Sequence, residues 1–189
     1  SLYSLAGILL CAFSLIKRRF SDLNDILMEV RDLSYRYPDQ TLALDHVNLT
    51  IRRHERLAIM GSNGSGKSTL FLNLNGVYKP TEGQILYEGQ PVDYSRKGPL
   101  ELRRKVGIVF QAPDNQLFCA SVAGEISFGL YNLGLEEPVI RARVDEVCDR
   151  LSITPFRSKP THFLSGGQKK RVSIADILVM QPELLILDE

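Results

Sequence analysis

A glycine-rich loop that ends in a lysine and two hydroxyl residues is the part of this sequence best suited to chemistry. It fits the spacing G-x-x-x-x-G-K-[ST] and consists of Gly61, Ser62, Asn63, Gly64, Ser65, Gly66, Lys67, Ser68 and Thr69. Small residues let backbone N–H groups close around phosphate oxygens. We expect Lys67 to reach the β- and γ-phosphates and the Ser68 hydroxyl to bind Mg²⁺. The loop therefore predicts that the protein binds ATP with magnesium.

A second candidate is the apolar run 184–187, which is followed directly by two acids, Asp188 and Glu189. A buried strand that ends in carboxylates places negative charge at the carboxyl edge of a sheet, where a phosphate-binding loop also lies. Beside such a loop, Asp188 is predicted to orient magnesium. Glu189 is then suited to act as general base on the attacking water.

A third candidate is the sequence Leu-Ser-Gly-Gly-Gln at residues 164–168. Ser165 is a favourable N-cap, and Gly166 and Gly167 leave backbone N–H groups uncovered at a helix start. Together with Gln168 they predict a second element that reads phosphate.

Alternating strands and helices must position these residues. The apolar patterns predict strands over residues 28–37, 46–52, 56–60, 83–87, 106–110 and 184–187, and helices over residues 68–74 and after Ser165. Residues 112–163 lack strand signals and carry apolar residues at helical spacing, so we expect a helical insert there. Strands that alternate with helices favour an α/β core with a mainly parallel sheet.

Composition narrows the class of protein. The chain has 189 residues, 44% of them hydrophobic and 24% charged, which suits one globular domain. The formal net charge is +1 and the charges are mixed along the chain, so we expect no nucleic acid as partner. The cysteines, Cys11, Cys119 and Cys148, are far apart, which favours reduced thiols in packing roles.

Residues 1–27 do not fit the alternation of strands and helices predicted for the rest of the chain. Residues 2–16 are almost entirely apolar and precede a basic cluster at 17–19. A helix over residues 2–16 would be about 22 Å long, short of the roughly 30 Å of a bilayer core. We therefore expect residues 1–27 to be an extension outside the domain rather than a membrane anchor, with the domain over residues 28–189. Both ends look abrupt, which predicts a fragment.

The three motifs together resemble the ATPase subunits of ABC transporters, over residues 28–189. The resemblance implies a phosphate-loop (RecA-like) α/β core with an antiparallel β subdomain and an inserted helical subdomain. It implies that two ATPase subunits pack head to tail, so that residues 165–168 act on the partner's γ-phosphate. Tyr37 matches the aromatic residue that stacks on adenine, with Tyr35 a weaker candidate and strand packing the alternative for both. Gln111 matches the glutamine that contacts magnesium and the attacking water.

A finer resemblance is to energy-coupling-factor ATPases, at residues 93–98, 109–118 and 128–135. The stretch Tyr-Ser-Arg-Lys-Gly at 94–98 is most similar to cobalt or nickel importers. The resemblance implies integral-membrane transporter subunits as partners and a peripheral position on the cytoplasmic face of the cell membrane. Import of a vitamin is the alternative within this class. A soluble ABC protein that acts on nucleic acid or ribosomes fits less well, and a phosphate-loop kinase or switch GTPase would leave residues 164–168 without a role.

Two departures from the family pattern stand out. Asp176 occupies a position in the helix after Gln168 where a small residue is usual, and a buried charge there needs a partner. The dimer-contact loop and switch histidine that the resemblance places after Glu189 lie outside this sequence. We therefore expect weak nucleotide binding and poor hydrolysis from this piece alone.

Overall fold

The computed structural model describes residues 26–188 and, for Asn115, the backbone only. The strands are β1 (Ile26–Arg36), β2 (Leu42–Arg52), β3 (Glu82–Tyr87), β4 (Gln90–Pro91), β5 (Val106–Val109) and β6 (Leu184–Leu187). The α-helices are α1 (Lys67–Leu74), α2 (Gly98–Lys105), α3 (Val122–Asn132), α4 (Glu137–Arg150) and α5 (Gly166–Leu178). Short 3-10 turns lie at Pro113–Asn115, Thr154–Phe156 and Thr161–Phe163. This mixture confirms the predicted α/β class.

The described residues form two compact units, 26–106 and 107–188. The first unit contains a four-stranded antiparallel sheet in the order β2-β1-β3-β4. Side chains from β1, β3 and α1 fill its core, including Met28, Leu33, Leu74 and Ile85. At Asp32 the pairing register of β1 shifts, and Gly83 of β3 takes φ +76° beside it, where a Cβ would overlap the Asp32 carbonyl oxygen.

The second unit packs three helices around one apolar cluster. Its inner residues come from α3, α4 and α5, with Val109 of β5 among them. β5 and β6 form a two-stranded parallel sheet. Ser121 caps α3 by accepting a hydrogen bond from the Gly124 N–H at 3.2 Å, which starts the helix where the sequence changes from loop to apolar spacing.

Most predicted elements are present, and the helices α3 and α4 lie within residues 112–163. The division into domains stays a prediction. β1 begins at Ile26, two residues before the predicted start, and Leu27 is buried in the core. The antiparallel β subdomain that the resemblance implied is confirmed by the sheet β2-β1-β3-β4, and β5 and β6 form a parallel sheet. The apolar segment 2–16 lies outside the described residues.

The predicted buried strand over residues 56–60 is wrong. This segment belongs to neither sheet, and the side chains of Leu57 and Met60 are 46% and 91% exposed. A short extended segment is stable only where neighbouring strands accept its hydrogen bonds. Within residues 26–188 no strand pairs with it. The apolar pattern alone carries no information about that pairing.

Within residues 26–188, each helix is too short or too polar to cross a bilayer.

Candidate functional site

The glycine-rich loop lies in the first unit and leads directly into α1. Gly66 stands at the N-cap of α1 with φ 90°, a left-handed conformation that favours glycine. A Cβ at Gly66 would lie 2.6 Å from the Ala43 carbonyl oxygen, so β2 also excludes a larger residue. The first N–H groups of a helix lack intrahelical partners and point outward. The geometry suits a phosphate group at this helix start.

Lys67 folds back over the loop. Its ammonium donates to the carbonyl oxygens of Gly61 at 2.8 Å and Ser62 at 3.0 Å. The Ser68 side chain is exposed at the first turn of α1, whereas Thr69 is buried. Lysine provides positive charge for phosphate, and a serine hydroxyl is an oxygen ligand of the kind Mg²⁺ accepts. The donor set therefore fits a magnesium nucleotide.

Tyrosines gather beside α1. The Tyr37 hydroxyl lies 2.7 Å from the Thr69 hydroxyl, which joins the predicted adenine-binding residue to the glycine-rich loop. Tyr35 stacks on Tyr78, with ring centroids 4.8 Å apart, and Tyr37 meets Tyr35 edge to face. Because Tyr78 covers one face of Tyr35, Tyr37 is the better placed of the two candidates. Tyr78 was not predicted, and its proximity depends on the turn after α1.

In the second unit, the ends of β5 and β6 bring two predicted residues together. The Asp188 N–H donates to the Val109 carbonyl oxygen at 3.0 Å. The ammonium of Lys170, from α5, donates to the carbonyl oxygens of Phe110 at 3.1 Å and Gln111 at 3.5 Å. Burial lowers the pKa of Lys170, and the nearby Asp188 carboxylate opposes this effect. Sequence reasoning missed Lys170 because its partners are distant in the chain.

The Leu-Ser-Gly-Gly-Gln motif forms the start of α5 as predicted. Ser165 and Gln168 make a capping box: the Gln168 N–H donates to the Ser165 hydroxyl at 3.4 Å, and the Ser165 N–H donates to the Gln168 side-chain oxygen at 3.0 Å. Gly166 and Gly167 are exposed, and among the described residues no atom lies within 4 Å of a Cβ built on either one. The capping box thus fixes the conformation of this helix start, and the described residues leave the space beside both glycines open.

Asp176 has the partner that its burial requires. Gln116 donates to its carboxylate at 3.2 Å. Burial raises the pKa of Asp176 to about 6, the Gln116 hydrogen bond lowers it, and the carboxylate of Glu125 adds to the rise.

Glu125 is a buried acid that sequence reasoning missed. It is 1% exposed, and one carboxylate oxygen accepts the N–H groups of Phe118 at 2.9 Å and Cys119 at 2.5 Å. Its position on the buried face of α3 was the available signal. Glu125 fixes the chain just before α3.

The two units thus divide the predicted residues. The first contains Tyr37 and residues 61–69, and the second contains Gln111, residues 165–168 and Asp188. Glu189, the predicted general base, lies outside the described residues.

Comparison with known proteins agrees with the family that the motifs indicate. The family model described as ABC transporter matches residues 44–189. A putative ABC transporter ATP-binding protein of Clostridium perfringens is 55% identical over 167 residues, which are 88% of this chain and 59% of that protein. An energy-coupling factor transporter ATP-binding protein of Methanothermobacter thermautotrophicus is 50% identical over 86% of this chain and 52% of its own length.

A solved structure agrees. That of cbiO1 from Clostridium perfringens, described as part of the ABC transporter complex cbiONQ, has a TM-score of 0.80 and 55% identity, covering 88% of this chain and 66% of that chain. This chain spans 52 to 59% of the length of these two curated relatives. The loop, the capped glycine motif and the matched residues together assign the chain to the ABC transporter ATPase family.

Proposed function

We propose that this chain is the ATP-binding, ATP-hydrolysing subunit of an energy-coupling ABC importer. The observation that carries the proposal is the glycine-rich loop: Gly66 is fixed in a left-handed conformation against β2, and the Lys67 ammonium rests on two loop carbonyls. A phosphate group can replace those carbonyls as the partner of Lys67. The first turn of α1 then adds backbone donors.

In this proposal each site residue has one role. Lys67 binds the terminal phosphates, and Tyr37 lies against adenine. Ser68, Gln111 and Asp188 provide oxygen ligands for magnesium, which neutralises phosphate charge when bound. Glu189 orients the attacking water and accepts a proton from it.

A second ATPase subunit completes the site, either another copy of this chain or a related one. The open space above Gly166 and Gly167 supports this step, because the described part of the chain gives no reason to exclude a side chain there. In this proposal the backbone N–H groups at the start of α5, together with Ser165 and Gln168, bind the γ-phosphate of the nucleotide held by the partner subunit. ATP then joins the two subunits, and hydrolysis separates them.

Integral-membrane subunits are the proposed recipients of this motion. Two aromatic rings support a contact: Phe118 and Phe128 are 68% and 44% exposed, with centroids 4.9 Å apart in an edge-to-face pair. Adjacent exposed aromatics are typical of protein interfaces. They lie in the helical segment that follows Gln111. The subunit is then peripheral, on the cytoplasmic face of the cell membrane.

The proposed cargo is cobalt or nickel, and a vitamin is the alternative. The support is residues 94–98 and the similarity to a protein described as part of the cbiONQ complex. Uptake of radioactive Co²⁺ or of a labelled vitamin in cells that express the full-length chain with its membrane subunits separates the two. Uptake of the vitamin alone rules out the metal assignment.

The experiment that tests the function is nucleotide binding and turnover by the full-length protein. We expect a fluorescent ATP analogue to bind with magnesium, and Lys67→Ala to weaken binding at least about 10-fold, because a charge-assisted phosphate contact is lost. Lys79→Ala, a change at an exposed lysine of the same unit, is the control. Glu189→Gln should bind ATP without hydrolysing it and accumulate dimers on a sizing column. Equal ATP affinity in wild type and Lys67→Ala contradicts the proposal.

A further inference from the structure

One face of α5 holds the chain that leaves β5. Lys170 donates to the carbonyl oxygens of Phe110 and Gln111, at 3.1 and 3.5 Å. Its ammonium also interacts electrostatically with the Asp188 carboxylate. One side chain of α5 therefore donates hydrogen bonds to the chain that leaves β5 and interacts electrostatically with the residue that follows β6.

Gln116 fastens the same segment a few residues later. Its side-chain oxygen accepts the Phe110 N–H at 3.4 Å, and its amide group donates to the Ser173 carbonyl at 2.8 Å and to Asp176 at 3.2 Å. Residues 170, 173 and 176 recur at the three-residue spacing of one helix face. The segment from Phe110 to Gln116 thus lies along α5 and is bonded to it at both ends.

The glycine motif lies at the start of α5, close to Lys170. Gln168, in the capping box, is two residues from Lys170, and the intervening backbone is helical. A displacement of the motif at the start of α5 must therefore move Lys170, and with it the Gln111 backbone.

We propose that Lys170 is a positioning residue for ATP hydrolysis, one that acts through Gln111 and Asp188 and links them to the motif at residues 165–168. The proposal rests on the proposed function. Without the ammonium, two carbonyl oxygens lose a donor and Asp188 loses a nearby positive charge. The Gln111 segment then moves independently of α5.

Steady-state kinetics of the full-length protein test this link. We expect Lys170→Met to lower kcat for ATP hydrolysis at least about 10-fold, the usual effect of removing a residue that orients catalytic groups. KM for ATP should stay within about 3-fold, because the glycine-rich loop belongs to the other unit. Lys170→Arg keeps a cationic donor and should recover most of kcat.

Lys169→Met is the matched control. Lys169 is adjacent on α5, but it pairs with the carboxylate of Asp114, whose side chain is 73% exposed. Because water screens this ion pair, it contributes little to stability. Unchanged kcat in Lys170→Met overturns the proposal. So does a joint loss of folding and nucleotide binding in Lys170→Met that Lys170→Arg does not reverse, since that result shows a purely structural role.

Hydrogen exchange separates failure of the link from failure of the proposed function. We expect the amides of residues 110–117 to exchange faster in Lys170→Met than in wild type, with α3 and α4 unchanged. Wild-type protein without ATPase activity contradicts the proposed function, and the exchange result still decides the link. Equal exchange in residues 110–117 of both proteins overturns the link.

Discussion

At the scale of single residues, the half-buried acid Asp176 determines how the stability of the second unit responds to pH. Asp176 and Glu125 lie close enough to interact, and Gln116 donates to Asp176. The Asp176 carboxyl favours its protonated form, because burial removes the water that stabilises its charge. The Asp176 carboxyl in α5 therefore makes stability depend on pH.

Asp176→Asn tests that dependence. The pKa of Asp176 in the folded protein is about 6, above its ordinary value of 3.8. The folded state therefore holds a proton that the unfolded state releases, and wild type loses stability as pH rises from about 4 through about 6. The uncharged amide of the variant has no such loss, so the variant should gain about 2–3 kcal/mol relative to wild type between pH 4 and pH 7.

Urea unfolding at several pH values measures this difference. Asp114→Asn is the control, because that side chain is exposed and its ion pair with Lys169 contributes less than about 1 kcal/mol. Parallel stability curves for wild type and Asp176→Asn would show that Asp176 ionises normally in the fold.

At the scale of elements, the turn into α1 depends on two different demands on glycine. Gly64 and Gly66 both have positive φ, 81° and 90°. Only Gly66 is sterically confined, since a Cβ there would lie 2.6 Å from the Ala43 carbonyl oxygen. Among the described residues, nothing lies within 4 Å of a Cβ built at Gly64. The same substitution therefore separates backbone strain from steric exclusion.

We expect Gly64→Ala to lower the free energy of unfolding by about 1 kcal/mol, the cost of a left-handed residue with a side chain. Gly66→Ala should cost at least about 2 kcal/mol and also displace the loop from β2, because strain and clash add. ATP affinity should then fall more in Gly66→Ala than in Gly64→Ala. Denaturation and nucleotide titration of both variants measure the two effects, and equal losses of stability would contradict the steric account.

Local patterns predicted the elements that depend on local signals. The capping box at Ser165 and the helix α5 could be predicted because their partners are three residues apart. The segment 56–60 could not, because its state depends on whether another strand pairs with it. Lys170 was missed for the same reason: its carbonyl partners lie about 60 residues earlier, a separation that helical spacing does not encode.

At the scale of the whole molecule, the exposed glycines of α5 bear on the proposed contact with a second subunit. In a helix, alanine is more favourable than glycine by about 1 kcal/mol, so Gly166 and Gly167 are costly to the chain itself. No described atom lies within 4 Å of a Cβ at either position, so the described fold does not require them. On the proposed function, their benefit comes from close contact with a nucleotide bound to the other subunit.

Gly167→Ala separates folding from assembly on this basis. We expect the variant in the full-length protein to unfold at the same or slightly higher denaturant concentration than wild type, since alanine favours the helix. Binding of a fluorescent ATP analogue to the monomer should be unchanged, because the glycine-rich loop is intact. ATP-induced dimers, trapped in the Glu189→Gln background, should be reduced at least about 10-fold, because the added methyl group would occupy the space proposed for the γ-phosphate. Loss of stability together with normal dimer formation would show that Gly167 serves the fold and not the partner.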